Sequence, residues 1–257
     1  PRGALVEEAR AKGIRILTGS AVIEARGSKR VTAARVAAID VKGHKVTSPG
    51  EWLECDLVAS SGGYSPVVHL ASHLGGKPIW REDILGFVPG EAPQKRVCVG
   101  GINGVYGLGD SLADGFEGGV RAASEAGFGP VEAKLPKALV RQEEPTLALF
   151  QVPYEKVTAR APKQFVDLQN DVTAAGIELA TREGFESVEH VKRYTALGFG
   201  TDQGKLGNVN GLAIAARSLN VTIPQMGTTM FRPNYTPVTF GAVAGRHCGH
   251  IFEPVRF

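Results

Sequence analysis

The chain has 257 residues, 43% hydrophobic and 21% charged, with a net charge of +3, a balance that allows an ordinary globular core. Lys and Arg are spread along it rather than clustered, which argues against a nucleic-acid surface, and no apolar run reaches the roughly 18 residues a membrane helix needs. Its three cysteines, Cys55, Cys98 and Cys248, form no Cys-x-x-Cys pair; the reading is a cytoplasmic protein without a disulfide framework.

In chain order, Pro1-Arg2-Gly3-Ala4-Leu5 carries no initiator Met and reads as the cut edge of a longer chain. Arg2 to Gly13 reads as a helix, since Leu5, Val6 and Ala9 share a face and Gly13 suits a C-terminal cap. Ile14–Leu17 reads as a short strand. Ala21–Arg26 and Val31–Val41, joined at Gly27–Arg30, read as a hairpin or meander. Cys55–Ser60 has the continuous apolar texture of a strand covered on both faces. It runs into Ser61-Gly62-Gly63-Tyr64-Ser65-Pro66, where Pro66 suits the first position of a helix that ends at Gly75-Gly76. Val97–Val99 reads as a second buried strand, entering Gly100-Gly101-Ile102-Asn103-Gly104, with a helix from about Ser111 to Ala126.

Pro130 to Pro162 is Pro-punctuated without apolar periodicity, the texture of a linker. Thr173 is placed to cap a helix through Arg182, Ser187 to cap a second ended by Gly198, and Asn208 to begin a third. Three short helices make a small bundle. From Ile223 the chain reads as extended.

The strand–Gly-rich turn–helix at residues 97–126 is the strongest local signal in the first half, because closely spaced glycines let backbone N–H groups approach a phosphate or ribose. The same pattern also serves packing alone. Asp56 to Pro66 resembles the acid–strand–Gly–x–x–Pro segment of two-dinucleotide-binding-domain flavoproteins. Those proteins end a later strand in Gly-Asp, whereas here Gly100 is followed by Gly101. Asp110 is read as an acid at a helix N-terminus. In the second half, Asp167–Thr173 and Asp202–Gly207 are similar in spacing to the cluster-binding motifs of a small ferredoxin-like helical domain. The four cysteine positions hold Asp167, Gln169, Asp202 and Gly207, and a two-iron cluster needs thiolates, so the expectation is that fold without its metal. His69 and His73, four residues apart, read as packing histidines, and Arg246-His247-Cys248-Gly249-His250 as a loop.

Phe165–Thr173, Ser187–Thr195, Thr201–Lys205 and Thr228–Gly241 together resemble the alpha subunit of heterotetrameric bacterial sarcosine oxidase. The resemblance implies an internal piece of an oxidoreductase subunit, inactive alone, in a complex that converts sarcosine to glycine, hydrogen peroxide and methylene-tetrahydrofolate. It implies beta, gamma and delta partner subunits, FAD and FMN in the partner subunit, and tetrahydrofolate in a C-terminal domain. It implies a partial NAD site, whose contacts map onto Gly101, Tyr106 and Leu108; no catalytic or metal-ligating residue is assigned. The alternatives are a subunit of a dye-linked imino-acid or opine dehydrogenase and a non-enzymatic adaptor for a flavoprotein.

The expected architecture is α/β. Residues 1–130 would be the C-terminal part of a FAD/NAD(P)-binding, two-dinucleotide-binding-domain type unit, and 131–162 a linker. Residues 163–222 would be a helical bundle resembling a cluster-less BFD-like ferredoxin module, and 223–257 an extended segment leading toward a folate-binding domain.

Overall fold

The computed structural model describes residues 3–73, 75–129, 134–135, 137–138, 147–232, 236–247 and 249. Helix α1 (Ala4–Ala11) stops where Gly13 turns the chain at a φ of +74°, a left-handed conformation that glycine adopts without cost. The expected strand Ile14–Leu17 is not one: it finds no ladder partner among the described residues.

The expected meander is present as β1 (Ser20–Gly27), β2 (Val31–Ala38) and β3 (Glu51–Glu54), all antiparallel. The β1–β2 register shifts between Val22 and Glu24. This bulge at Ile23 adds a residue to one strand, and Ile23 is buried, as are Ala34 and Ala37 on β2. At Gly27 (φ +144°) an added Cβ would run into the carbonyl of Arg30, so the turn requires glycine.

Cys55–Ser60 and Val97–Val99 are also not strands. Apolar β-branched texture favours extended backbone, but a strand exists only where a neighbour supplies the other half of each hydrogen bond. Every strand pairing among the described residues is antiparallel, so the parallel sheet implied by the sequence reading is not seen there. The helix expected after Pro66 is the single turn α2 (His69–Ser72), and Pro66 precedes rather than opens it.

A hairpin that the sequence reading missed follows: β4 (Ile79–Arg81) and β5 (Gly86–Val88). Its Phe87 belongs to the main hydrophobic core, and Trp80 packs against that core. A 3-10 turn at Gly100–Asn103 leads to α3 (Leu108–Glu125), which begins three residues earlier than expected. Asp110 lies in its first turn, where the helix dipole favours a carboxylate.

Residues 147–162, the described end of the expected linker, form a bonded strap. Tyr154 donates to Glu24 of β1 at 3.1 Å, Arg35 of β2 pairs with Glu155 and lies over the Tyr154 ring, and Thr158 donates to Glu178 at 2.8 Å.

The second half is the helical module. A short ladder, β6 (Phe165–Asp167) with β7 (Val172–Thr173), precedes α4 (Ala174–Arg182), α5 (Val188–Thr195) and α6 (Asn208–Ser218). Thr173 caps α4, accepting from the Gly176 N–H at 3.2 Å; Ser187 takes the N-cap position of α5 but its side chain makes no cap bond. Ile177, Val191, Leu197, Leu212 and Ile214 are almost completely buried where these helices meet, each contributing about 1.5–3 kcal/mol by leaving water. The region expected to be extended opens instead with the helical turn α7 (Ile223–Met226). Its capping box joins Thr222 and Gln225, and Thr-Ile-Pro-Gln is the sequence sign of that box. A last short helix, α8 (Phe240–Ala244), is capped by Thr239.

Candidate functional site

Two clefts gather residues that the sequence singled out. The first, about 500 Å³, is lined by Tyr64, Ser65, Val67, Leu70, Gly101, Ile102 and Tyr106, so the segment after Gly62-Gly63 meets the segment after Gly100. Tyr64, largely exposed, stacks on Tyr106 with ring centroids 5.2 Å apart. The Gly-rich turn is held by a residue that sequence reasoning missed: the Asp114 carboxylate of α3 accepts from the Gly100 N–H at 2.6 Å. Nothing local marks Asp114 for that role, which arises only because α3 folds back over the turn. Gly118 lets it do so, since a Cβ there would collide with Val99.

The Tyr106 hydroxyl is buried and has no hydrogen-bond partner among the described residues. Burial pushes its pKa up, opposed by the nearby Arg81 guanidinium. An unpartnered buried hydroxyl costs stability. Among the described residues, a Cβ added at Gly101 would meet the Tyr106 ring at ordinary contact distance, 3.8 Å. Leu108, the third expected contact, is the first residue of α3, 69% exposed and outside the lining.

The second cleft, about 420 Å³, is lined by all four positions where the ferredoxin-like motif places cysteine, Asp167, Gln169, Asp202 and Gly207, together with Val166, Leu168, Lys205 and Leu206. Asp167 is buried. One carboxylate oxygen accepts from the Gln169 and Asn170 N–H groups at 2.9 and 3.0 Å, and the other from the Gly198 N–H at 2.9 Å. Burial, the largest single influence, raises its pKa, but the bonds from Gly198, Asn170 and Gln169 together outweigh burial and hold the carboxyl below its ordinary value. Asp202 accepts from the Gly204 N–H at 3.1 Å. At Gly207 an added Cβ would strike the carbonyl of Val166, so β6 has closed over that position. These residues do not fit an iron–sulfur cluster: no thiolate is offered, and one ligand position has no room for a side chain.

His69 and His73 do not converge on a common point. The His69 ring is buried, with Nε2 3.3 Å from the Gln203 carbonyl and its centroid 3.9 Å from that of Phe231. His73 Nε2 meets the carbonyl of Arg232. Both histidines join α2 to the helical module.

The fold has a counterpart among solved structures. It matches the crystal structure of L-proline dehydrogenase from P. horikoshii with a TM-score of 0.64 at 19% identity, over 94% of this chain and 48% of that one, a likeness of fold. Residues 161–246 match the Sarcosine oxidase A3 domain. Over 98% of its length the chain is 37% identical to sarcosine oxidase subunit alpha of Rhizobium meliloti (strain 1021). It is 35% identical over 98% to that of Corynebacterium sp. (strain P-1), and 38% identical over 95% to that of strain U-96. The chain is thus similar to sarcosine oxidase alpha subunits along nearly all of its own length, and it spans 26% of the length of each. Among the described residues no helix is long and apolar enough to cross a membrane.

Proposed function

We propose that the chain serves as part of the alpha subunit of a sarcosine-oxidising complex, as a nucleotide-binding scaffold and a contact surface for partner subunits. The observation that carries this reading is identity of 35–38% to sarcosine oxidase alpha subunits along nearly the whole chain. In this reading the beta, gamma and delta subunits are the partners, FAD and FMN reside in the partner flavoprotein, and tetrahydrofolate binds elsewhere in the alpha polypeptide. No residue of this chain is assigned to the oxidation itself.

The first cleft is the NAD contact. NAD would supply a dinucleotide whose flat rings and ribose hydroxyls need stacking surface and hydrogen-bond partners. Tyr64 and Tyr106 offer the ring faces, the unpartnered Tyr106 hydroxyl offers a bond to a ribose or base, and Gly101 allows close backbone approach. Leu108 would touch the dinucleotide only from outside the cleft. The helical module contributes shape: Leu168 and Leu206, 67% and 72% exposed, flank the second cleft and form the surface proposed to face the partner flavin.

The test is oxygen consumption by the chain's native complex with sarcosine, proline and opines in parallel. Sarcosine-dependent oxygen uptake and peroxide release are expected. Turnover of proline or an opine with a dye acceptor and none with sarcosine would overturn the reading in favour of a dehydrogenase.

A further inference from the structure

The joint between α2 and the helical module is built on a buried titratable ring that the proposed function leaves unused. His69 is 3% exposed, wedged between the Phe231 ring and the Gln203 carbonyl. Gln203 is itself buried, with a φ of +52°, and its side-chain oxygen accepts from the Arg232 N–H at 3.0 Å. His69, Gln203 and the Phe231–Arg232 segment thus form one locked contact. The other side of α2 faces the first cleft, through Leu70 and the preceding Tyr64, Ser65 and Val67. A single turn of helix carries a wall of the cleft on one side and the hold on the helical module on the other.

We propose that α2 is a proton-sensitive latch: neutral His69 locks the wall of the first cleft onto the helical module, and a proton on His69 releases it. A charge placed on this ring is stripped of water, which disfavours the imidazolium. Among the described residues, the nearby charges are mostly of the wrong sign to rescue it. His73, just past the end of α2, and Lys205 on the facing loop both oppose a charge on the ring; Arg96, which donates to the Ala71 carbonyl, and Arg232, whose guanidinium bonds the carbonyls of Gly198, Phe199 and Gly200, are also basic. Among the described residues, the Asp202 carboxylate acts in the opposite sense. Burial is the leading cause holding the His69 pKa below its ordinary value, with the Gln203 carbonyl opposing. Neutral His69 is therefore the form that fits the closed joint. The closed state is favoured at neutral pH and loses that advantage as pH falls below the ordinary histidine value of about 6.5.

The test needs no ligand, so its outcome is separate from the nucleotide reading. Hydrogen exchange would be followed at the Ser72 amide, bonded to the Val68 carbonyl, and at the Arg232 amide, bonded to Gln203, and expressed as protection factors between pH 7.5 and 5.0. Both are expected to fall together by at least about threefold on acidification, while amides in α4 and α6 keep theirs. His69→Phe, which keeps a buried ring without a charge, should abolish the fall, and His73→Gln should retain it. The NMR titration of the His69 ring should share its midpoint with the loss of protection. A wild-type joint insensitive to pH, an equal fall in His69→Phe, a fall shared by α4 and α6, or a ring titration with a different midpoint would each overturn the latch.

Discussion

Replacing Asp167 by Asn tests how the second cleft is held together. The two side chains have the same shape, but Asn turns one acceptor oxygen into a donor amide. If its oxygen keeps the Gln169 and Asn170 N–H groups, its NH2 faces the buried Gly198 N–H, donor against donor; if it flips, two donors are orphaned instead. Losing a charge-assisted bond costs about 1.5–3 kcal/mol, and an orphaned buried N–H adds about 1–3 kcal/mol. Allowing for relaxation, Asp167→Asn is expected to destabilise by about 2–4 kcal/mol at pH 7. The assay is urea unfolding followed by Trp fluorescence, with Trp80 reporting because it packs on the core of the helical module. The pH dependence supplies a second check. The Asp167 pKa is lowered in the fold, so its contribution is complete above the unfolded aspartate value of about 3.9 and is lost as pH falls through the folded value. Wild type should therefore lose stability on acidification more steeply than Asp167→Asn, the gap between them closing below about pH 4. A variant within about 0.5 kcal/mol of wild type at pH 7, or two parallel pH curves, would refute the argument.

Other outcomes follow from the same geometry. Gly207→Ala should destabilise by about 1–3 kcal/mol, because the new methyl group must displace the Val166 carbonyl; urea midpoints measure it. Tyr106→Phe should leave the free protein as stable or up to about 1 kcal/mol more stable, by deleting a buried hydroxyl without a partner. It should also weaken NAD binding in calorimetry; a variant that binds NAD as well as wild type would remove Tyr106 from the site. Thr173→Ala removes the cap of α4 and should cost about 1 kcal/mol, again read from the urea midpoint. Leu57, Tyr64 and Leu108 are each more than two-thirds exposed, and an apolar surface of this kind favours association. Light scattering should show self-association that weakens when Leu57 and Leu108 are replaced by Ser.

What could be read from the sequence was whatever is decided locally. Thr173 before an apolar stripe gives α4, and the β1–β2 hairpin follows from β-branched runs around Gly27. Ile14–Leu17, Cys55–Ser60 and Val97–Val99 look like strands for sound local reasons, but pairing is not local, and none finds a ladder among the described residues. The β4–β5 hairpin has three-residue strands, too short for any period to register. The capping box of Thr222 and Gln225 is a local signal for α7, at odds with the extended reading of the Pro-punctuated chain from Ile223. At the first cleft, Gly101 and Tyr106 could be named from the motif. That Tyr64 stacks on Tyr106, or that Asp114 grips Gly100, depends on distant segments folding together. The partners of His69, Gln203 and Phe231, lie far along the chain, so no local pattern around the histidine points to them.

Phe87 fills the same core as Ile177, Leu212 and Ala215, although composition alone would divide the polypeptide between them. A truncation that began near residue 163 would therefore excise one wall of its own interior. It should behave as a loosened, dye-binding species until a peptide carrying the Ile79–Val88 hairpin is added back.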